Sequence, residues 1–297
     1  MILAAFSLLV ALPALIWAAA VFDRVGTGRG ATVLGPLCNG AALMLRPNTS
    51  TEAPDALNRL LAPGWYLALA LIGLSVVPLA PGIVASELST GLVLWGACEA
   101  LTVVVVFLHG WSPNSPLPLI GAYRYVAIGL PAMLLSMFVL IAAALPAQSL
   151  SVVEVVEAQR GLWNVIRQPL GLPLFMGLGL AVTLRGPLDY ADGAELAGGT
   201  SAEESGPALA LWQFARLAML VAFSAMAASV FLGGYLGPGL PGPVWLLVKT
   251  VAVMAATVAA GRWFARTPPA RMLTFLWVIL LPLSFANLAL VGLEVLP

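Results

Sequence analysis

Five of the thirteen carboxylates in this 297-residue chain, Asp189, Asp192, Glu195, Glu203 and Glu204, fall in the stretch from Arg185 to Gly206. Apolar runs flank that stretch on both sides, each long enough to cross or nearly cross a bilayer, so the acids sit together at one membrane face. A solvated loop is the plainest reading of such a cluster. Against it, Arg185-Gly-Pro187 closes a span, and Tyr190 and Leu196 interleave the acids, a pattern suited to packing against a partner. Other ionisable residues lie inside apolar runs, where charge is costly. Glu99 stands midway along one run, at ~2.5–3.5 kcal/mol for a comparable ionised acid. A neutral hydrogen-bonded carboxyl, a proton relay and an ion pair are the readings open to it. Arg216 is about nine residues into another run, ~13 Å from the membrane face at ~1.5 Å per residue, too deep to reach that face easily. Glu99 and Arg216 are therefore expected to pair directly or to line one polar cavity. Lys249, nearer one end of its run, is expected to snorkel to that face. His109, at a span end, is either an interfacial residue or a proton-transfer group.

The remaining chemistry is thin. Cys38 and Cys98 are isolated thiols without a CxxC pattern or a His at ligand spacing, which argues against a bound cluster or zinc. The single His leaves little room for a His-based site, and neither a phosphate-binding Gly loop nor a GxSxG elbow occurs. No residue is assigned a catalytic or metal-ligating role. A formal net charge of zero gives no sign of nucleic acid or of a polybasic lipid tether.

The elements that must position these residues are membrane helices. Hydrophobic residues make up 61% of the chain and charged ones 9%, against roughly 25% charged for a soluble domain. A spanning helix needs ~20 apolar residues. That rule predicts an all-α, polytopic chain, one integral membrane domain over 1–297, with eight spans: 1–22, 61–80, 90–110, 125–146, 168–184, 207–231, 243–262 and 272–294. The first run lacks a basic leading segment and is read as a retained helix.

Arginines set the orientation. With the amino terminus outside, inside loops collect Arg24, Arg29, Arg46, Arg59, Arg124, Arg185, Arg262, Arg266 and Arg271, while outside loops hold only Arg160 and Arg167. Both termini are thus expected on the periplasmic face of a bacterial cytoplasmic membrane, with 23–58 and 185–206 inside. Within the first inside segment, 35–45 is apolar but too short to cross, as an interfacial or re-entrant helix would be, and 47–55 reads as loop. Outside, 149–160 has the spacing of a helix lying on the membrane surface.

Several strings resemble the membrane component that forms the quinone site of respiratory complex I, the subunit 1 family. Gly110-Trp-Ser-Pro-Asn-Ser115, with Leu119 and Gly121-Ala-Tyr-Arg124, looks like that family's inside loop before its fourth span. Arg185-Gly-Pro-Leu-Asp189 and Ala194-Glu-Leu-Ala-Gly198, with Glu204 or its neighbour Glu203, are similar to its acidic quinone loop. Phe231 to Pro238, Pro241 to Trp245, Lys249-Thr250, Leu281-Pro-Leu283 and Asn287 resemble its last third, and the resemblance implies that Lys249 is a functional lysine rather than a snorkelling one. The resemblance implies a subunit without an electron carrier of its own, beside other membrane subunits and a peripheral arm whose iron-sulfur clusters deliver electrons to quinone. The 23–58 and 185–206 segments would floor the quinone chamber. Arg29, Arg185, Asp189, Glu195 and Glu204 match positions the family uses there, and Asp192 replaces another family acid.

The resemblance also implies a link to proton translocation, but the family's three buried span glutamates are Met133, Val182 and Arg216 here, and an acid expected in the 36–42 region is Asn39. The usual proton route therefore does not transfer to this chain. Two other readings stand beside the first: the anchor subunit of a membrane-bound nickel-iron hydrogenase or related complex, and a stand-alone transporter.

Overall fold

A computed structural model describes residues 2–26, 32–192 and 198–295, with side chains placed from Val10 onward except that of Tyr190. Every named element among these residues is a helix. In chain order they are α1 (Ile2–Gly26), α2 (Gly35–Met44), α3 (Ala56–Ser75), α4 (Gly91–Trp111), α5 (Pro116–Ala144), α6 (Val152–Glu157), α7 (Asn164–Arg167), α8 (Gly171–Val182), α9 (Gly206–Phe231), α10 (Gly242–Trp263), α11 (Pro269–Phe275) and α12 (Leu281–Val295). A π-helical turn, Leu276–Leu280, joins the last two into one rod.

Among the described residues six helices are long and apolar enough to cross a membrane: α3, α4, α5 with its extension to Ala147, α9, α10 and the α11–α12 rod. The helix at the expected fifth span is shorter than anticipated. Only Gly171–Val182 is helical, 12 residues, or ~18 Å against a hydrocarbon core of ~30 Å. The fourth span begins nine residues earlier than expected, because Pro116 occupies the first turn, where a missing N–H costs nothing, and the Gly121-to-Arg124 string is helix rather than loop.

The centre of the bundle is α9, which packs against α1, α2, α3, α6, α8 and α10. Its buried Ala215, Ala218, Ala222, Ala225, Ala227 and Ala228 let neighbouring backbones approach closely, which is how helices associate in lipid without a hydrophobic driving force. Gly121 has the same role on α5: a Cβ there would lie 2.5 Å from the Thr200 nitrogen and 2.6 Å from the Ala191 oxygen.

The connecting segments gather at two ends. At one, Thr49 N–H donates to Ser205 Oγ (2.9 Å), Ser205 Oγ donates to Pro47 O (2.9 Å) and Asp55 N–H donates to Ser112 O (2.8 Å), stitching 47–55 to the residues before α9 and after α4. At the other, Leu92 N–H donates to Leu150 O (3.0 Å), and Gln159 receives Gly233 N–H at 2.9 Å. The expected surface helix over 149–160 is here only Val152–Glu157, with Val152, Val155 and Val156 buried against the bundle. Glu157, paired with Arg160 and bonded by the Tyr235 hydroxyl, lies below the usual carboxylate range, chiefly through the Arg160 hydrogen bond.

Candidate functional site

The site is built on a helix end. α8 stops through a Schellman pattern, with Arg185 N–H donating to Leu180 O (2.9 Å) and Leu184 N–H donating to Ala181 O (3.2 Å). The left-handed position, which favours glycine, is occupied by Leu184 at φ 54°. That turn leaves the carbonyls of Thr183 and Leu184 without helical partners, and Arg216 on α9 takes both, Nη2 at 2.5 Å from Leu184 O and Nε at 3.4 Å from Thr183 O. A cation at a helix C-terminus is favoured electrostatically. Arg216 is thus held at the point where the short helix ends.

Its second partner is Asp192, bound through Nη1 to Oδ2. The other carboxylate oxygen accepts from Thr200 Oγ1 (2.7 Å), Ser201 Oγ (2.6 Å) and Trp212 Nε1 (2.9 Å). A buried carboxylate needs such compensation, and here every donor is local. Beside this pair, Arg185 forks onto Asp23 at the end of α1, with Nη2–Oδ2 at 2.8 Å, and Arg262 reaches the Asp23 carbonyl and carboxylate. Asp189 accepts from Arg266 Nε at 2.8 Å on each oxygen. These groups line a pocket of about 320 Å³ in which four guanidiniums face three carboxylates.

That pocket shares Asp23, Arg185 and Arg216 with a second cavity of about 810 Å³, enclosed by α1, α2 and α9. Its walls are apolar, with Ile16, Trp17, Leu43, Leu211, Phe214 and Leu217 among them. α2 is tied over it by Arg24 Nη1 to Gly35 O (2.8 Å), and Trp17 Nε1 donates to Val33 O (3.1 Å) just before that helix. An apolar compartment ending in a cluster of strong donors suits a lipophilic molecule with a polar, hydrogen-bond-accepting head.

Of the expected site residues, Arg185, Asp189 and Asp192 line the charged pocket. Arg29 and Glu195 lie outside the described residues. Glu204 does not join it; its carboxylate binds Arg59 on α3, at 3.0 Å to Nε and 3.1 Å to Nη2, while Arg59 also reaches Asn48 and Thr49 O. Burial pushes the Glu204 carboxyl above the usual range, against the pull of Arg59. Glu203 accepts from Ser115 Oγ at 3.0 Å.

Glu99 and Arg216 do not pair. Glu99, 3% exposed, accepts from Trp95 Nε1 one turn away and from Ser136 Oγ on α5 at 2.6 Å, so both oxygens are satisfied without a cation. Lys249 does not snorkel: its ammonium donates to the carbonyls of Leu232 (2.6 Å), Gly234 (3.0 Å) and Leu236 (2.5 Å) at the end of α9, 4.2 Å from the ring centroid of Trp163. Both membrane-depth cations therefore serve helix ends.

The family model described as NADH dehydrogenase matches residues 1–292. The chain belongs to that family. It is 35% identical to the second of the H-type NADH-quinone oxidoreductase subunits of Rhodopseudomonas palustris (strain ATCC BAA-98 / CGA009), over 85% of this chain and 80% of the relative. Identity to the second H-type NADH-quinone oxidoreductase subunit of Cereibacter sphaeroides (strain ATCC 17029 / ATH 2.4.9) is 32%, over 97% of this chain and 95% of that one. The H-type subunit of Dehalococcoides mccartyi (strain ATCC BAA-2266 / KCTC 15142 / 195) is 28% identical over 89% of this chain and 75% of its own length. The chain is accordingly a multi-pass membrane component of the complex I subunit 1 family. Within this NADH dehydrogenase family member, Asp23, Arg262 and Arg266 are pocket residues that motif and spacing did not single out. Asp23 was the available signal, as the one acid closing the first apolar run, directly before Arg24.

Proposed function

We propose that this subunit lines the quinone chamber of a complex I-like NADH:quinone oxidoreductase. The observation that carries the reading is that the charged pocket and the apolar cavity share Asp23, Arg185 and Arg216 as lining residues. A quinone's isoprenoid tail fits the apolar part, and its carbonyl oxygens accept from guanidinium N–H groups in the charged part. The chain holds no electron carrier in this reading. Iron-sulfur clusters of a peripheral arm docked over 23–58 and 185–206 deliver the electrons, and other membrane subunits complete the assembly. Arg29, Glu195 and Glu204 belong to the same inside face. The apparatus would link quinone reduction to proton translocation, by a route that lacks acids at Met133, Val182 and Arg216.

A photoreactive short-tail quinone tests this directly. In the purified complex, cross-links are expected within 13–24, 36–44 and 210–217, competed by excess unlabelled quinone. Labelling confined to α12 or spread evenly over lipid-facing residues would sink the proposal and favour an anchor subunit of a hydrogenase-like complex.

In this reading the chain has eight spans, α1 and α8 included, and both termini are periplasmic in a bacterial cytoplasmic membrane. The supporting asymmetry is the arginine distribution along the sequence, with Arg160 and Arg167 in the outside loops of this topology and Arg24, Arg29, Arg46, Arg59, Arg124, Arg185, Arg262, Arg266 and Arg271 in the inside ones. With Cys38 replaced by serine, Ala53→Cys is expected to react with an impermeant maleimide only from the cytoplasmic side, and Leu240→Cys only from the periplasm. The reverse pattern would invert the topology.

A further inference from the structure

The end of α10 and the start of α11 carry three arginines, Arg262, Arg266 and Arg271, and no carboxylate; the sequence has none between Glu204 and Glu294. Two of the three take an acid from another segment, Arg262 from Asp23 and Arg266 from Asp189. Arg271 is exposed, and its guanidinium makes no hydrogen bond or ion pair among the described residues. It stands in the first turn of the α11–α12 rod, where the helix dipole disfavours a cation, so its charge does not serve the helix. The same connection exposes two large aromatics, Trp263 at 90% and Phe264 at 62%. α10 has 22 residues, ~33 Å at ~1.5 Å per residue against a hydrocarbon core of ~30 Å, so Trp263, its last residue, comes at the boundary between acyl chains and headgroups. Trp263 also closes a row of exposed, uncharged residues on one face of α10: Val244, Val248, Ala252, Ala256 and Ala259, spaced by four and then three. Such a row faces lipid rather than an aqueous domain above the membrane.

We propose that the α10–α11 connection binds an anionic phospholipid, with Arg271 holding the phosphate, Trp263 and Phe264 seated at the level of the glycerol, and an acyl chain lying along the exposed row of α10. Tryptophan is the ordinary anchor at that depth, and a guanidinium matches phosphate with two parallel hydrogen bonds. Charge decides the lipid class. A zwitterionic headgroup brings its own cation to a connection that already has one arginine in excess, whereas an anionic headgroup supplies the missing negative charge. None of Trp263, Phe264 and Arg271 lines the charged pocket or the apolar cavity. The site is therefore independent of the quinone reading and requires only that α10 and the α11–α12 rod span the bilayer.

The test uses the intact complex, stripped of lipid in detergent and titrated with phosphatidylglycerol, phosphatidylcholine or inorganic phosphate, with the thermal midpoint as the measure of binding. Wild type is expected to bind phosphatidylglycerol about fivefold more tightly than Arg271→Gln, the size of one guanidinium's attraction to an anionic surface. Arg271→Lys should keep most of that affinity, and phosphatidylcholine should bind all three complexes alike. Trp263→Leu should weaken both lipids, since the anchor acts on either. Equal phosphatidylglycerol affinity in wild type and Arg271→Gln, as unselected surrounding lipid would give, overturns the proposal. A full midpoint rise with inorganic phosphate alone also overturns it, because the ligand would then be a soluble anion. The second readout is a benzophenone attached at Trp263→Cys, with Cys38 replaced by serine, in the complex reconstituted with phosphatidylglycerol. Photo-adducts are expected on the phospholipid. A cross-link to a peripheral-arm chain instead would make the connection a protein docking surface and sink the lipid site, and this readout decides the matter if Arg271→Gln does not assemble.

Discussion

Arg216→Met is expected to destabilise the assembled subunit by about 3–5 kcal/mol, the range for removing one partner of a buried ion pair. Two losses add. Asp192 keeps Thr200, Ser201 and Trp212 as donors but loses its neutralising charge, and the carbonyls of Thr183 and Leu184 lose the donor that closes the end of α8. Asp192→Asn should cost less, since the guanidinium retains those two carbonyls and an amide can still accept from the hydroxyls. The double variant tests the coupling: it should be more stable than the two single losses predict by about 0.5–3 kcal/mol. The check is the thermal midpoint of the purified complex with its yield. Strictly additive losses would mean that Arg216 serves the carbonyls alone and that Asp192 is held by its local donors.

Gly40→Trp is expected to lower kcat/KM for quinone at least about tenfold, or ~1.4 kcal/mol in the transition state, while leaving assembly intact. Gly40 lines the apolar cavity from α2, and a Cβ built there meets nothing within 4 Å. The indole therefore enters empty space rather than packed atoms. Replacing a mid-helix glycine, even by tryptophan, also favours α2 by a few tenths of a kcal/mol, on the order of 0.3–0.5, which works against any loss of fold. Bulk in the cavity should hurt long-tailed quinones more than short-tailed ones, since the tail competes for the same volume. A variant that assembles normally and reduces both quinones at wild-type rates would place the tail elsewhere and remove the main support for the chamber. Artificial electron acceptors that take electrons from the peripheral arm control for damage upstream and should be reduced at the wild-type rate.

Composition and periodicity determined much about this protein. A chain with 9% charged residues and repeated apolar runs has few options besides a bundle of membrane helices, because lipid requires each backbone group to be satisfied within its own segment. The clustering of Asp189 and Asp192 after a span end was likewise legible, as was a short helix at 35–45, realised as Gly35–Met44. Hydropathy alone did not find the end of α8 at Val182, since Thr183 and Leu184 are as compatible with a span as the residues before them; the stop depends on a left-handed Leu184 held by hydrogen bonds from elsewhere.

What only the tertiary structure decided is which partner each membrane-depth charge takes. Glu99 and Arg216 looked complementary because both are costly to bury, but cost alone fixes that a partner exists and not where it is. Glu99 found two neutral donors, Trp95 on its own helix and Ser136 on α5. Arg216 and Lys249 instead found the unsatisfied carbonyls at the ends of α8 and α9, groups that no sequence pattern marks because they arise only where a neighbouring helix stops. The pocket follows from the same fact: Asp23, Asp189 and Asp192 are separated by up to 169 positions in the chain, and it is the packing of α1, α8, α9 and α10 around one helix end that brings them to a common wall.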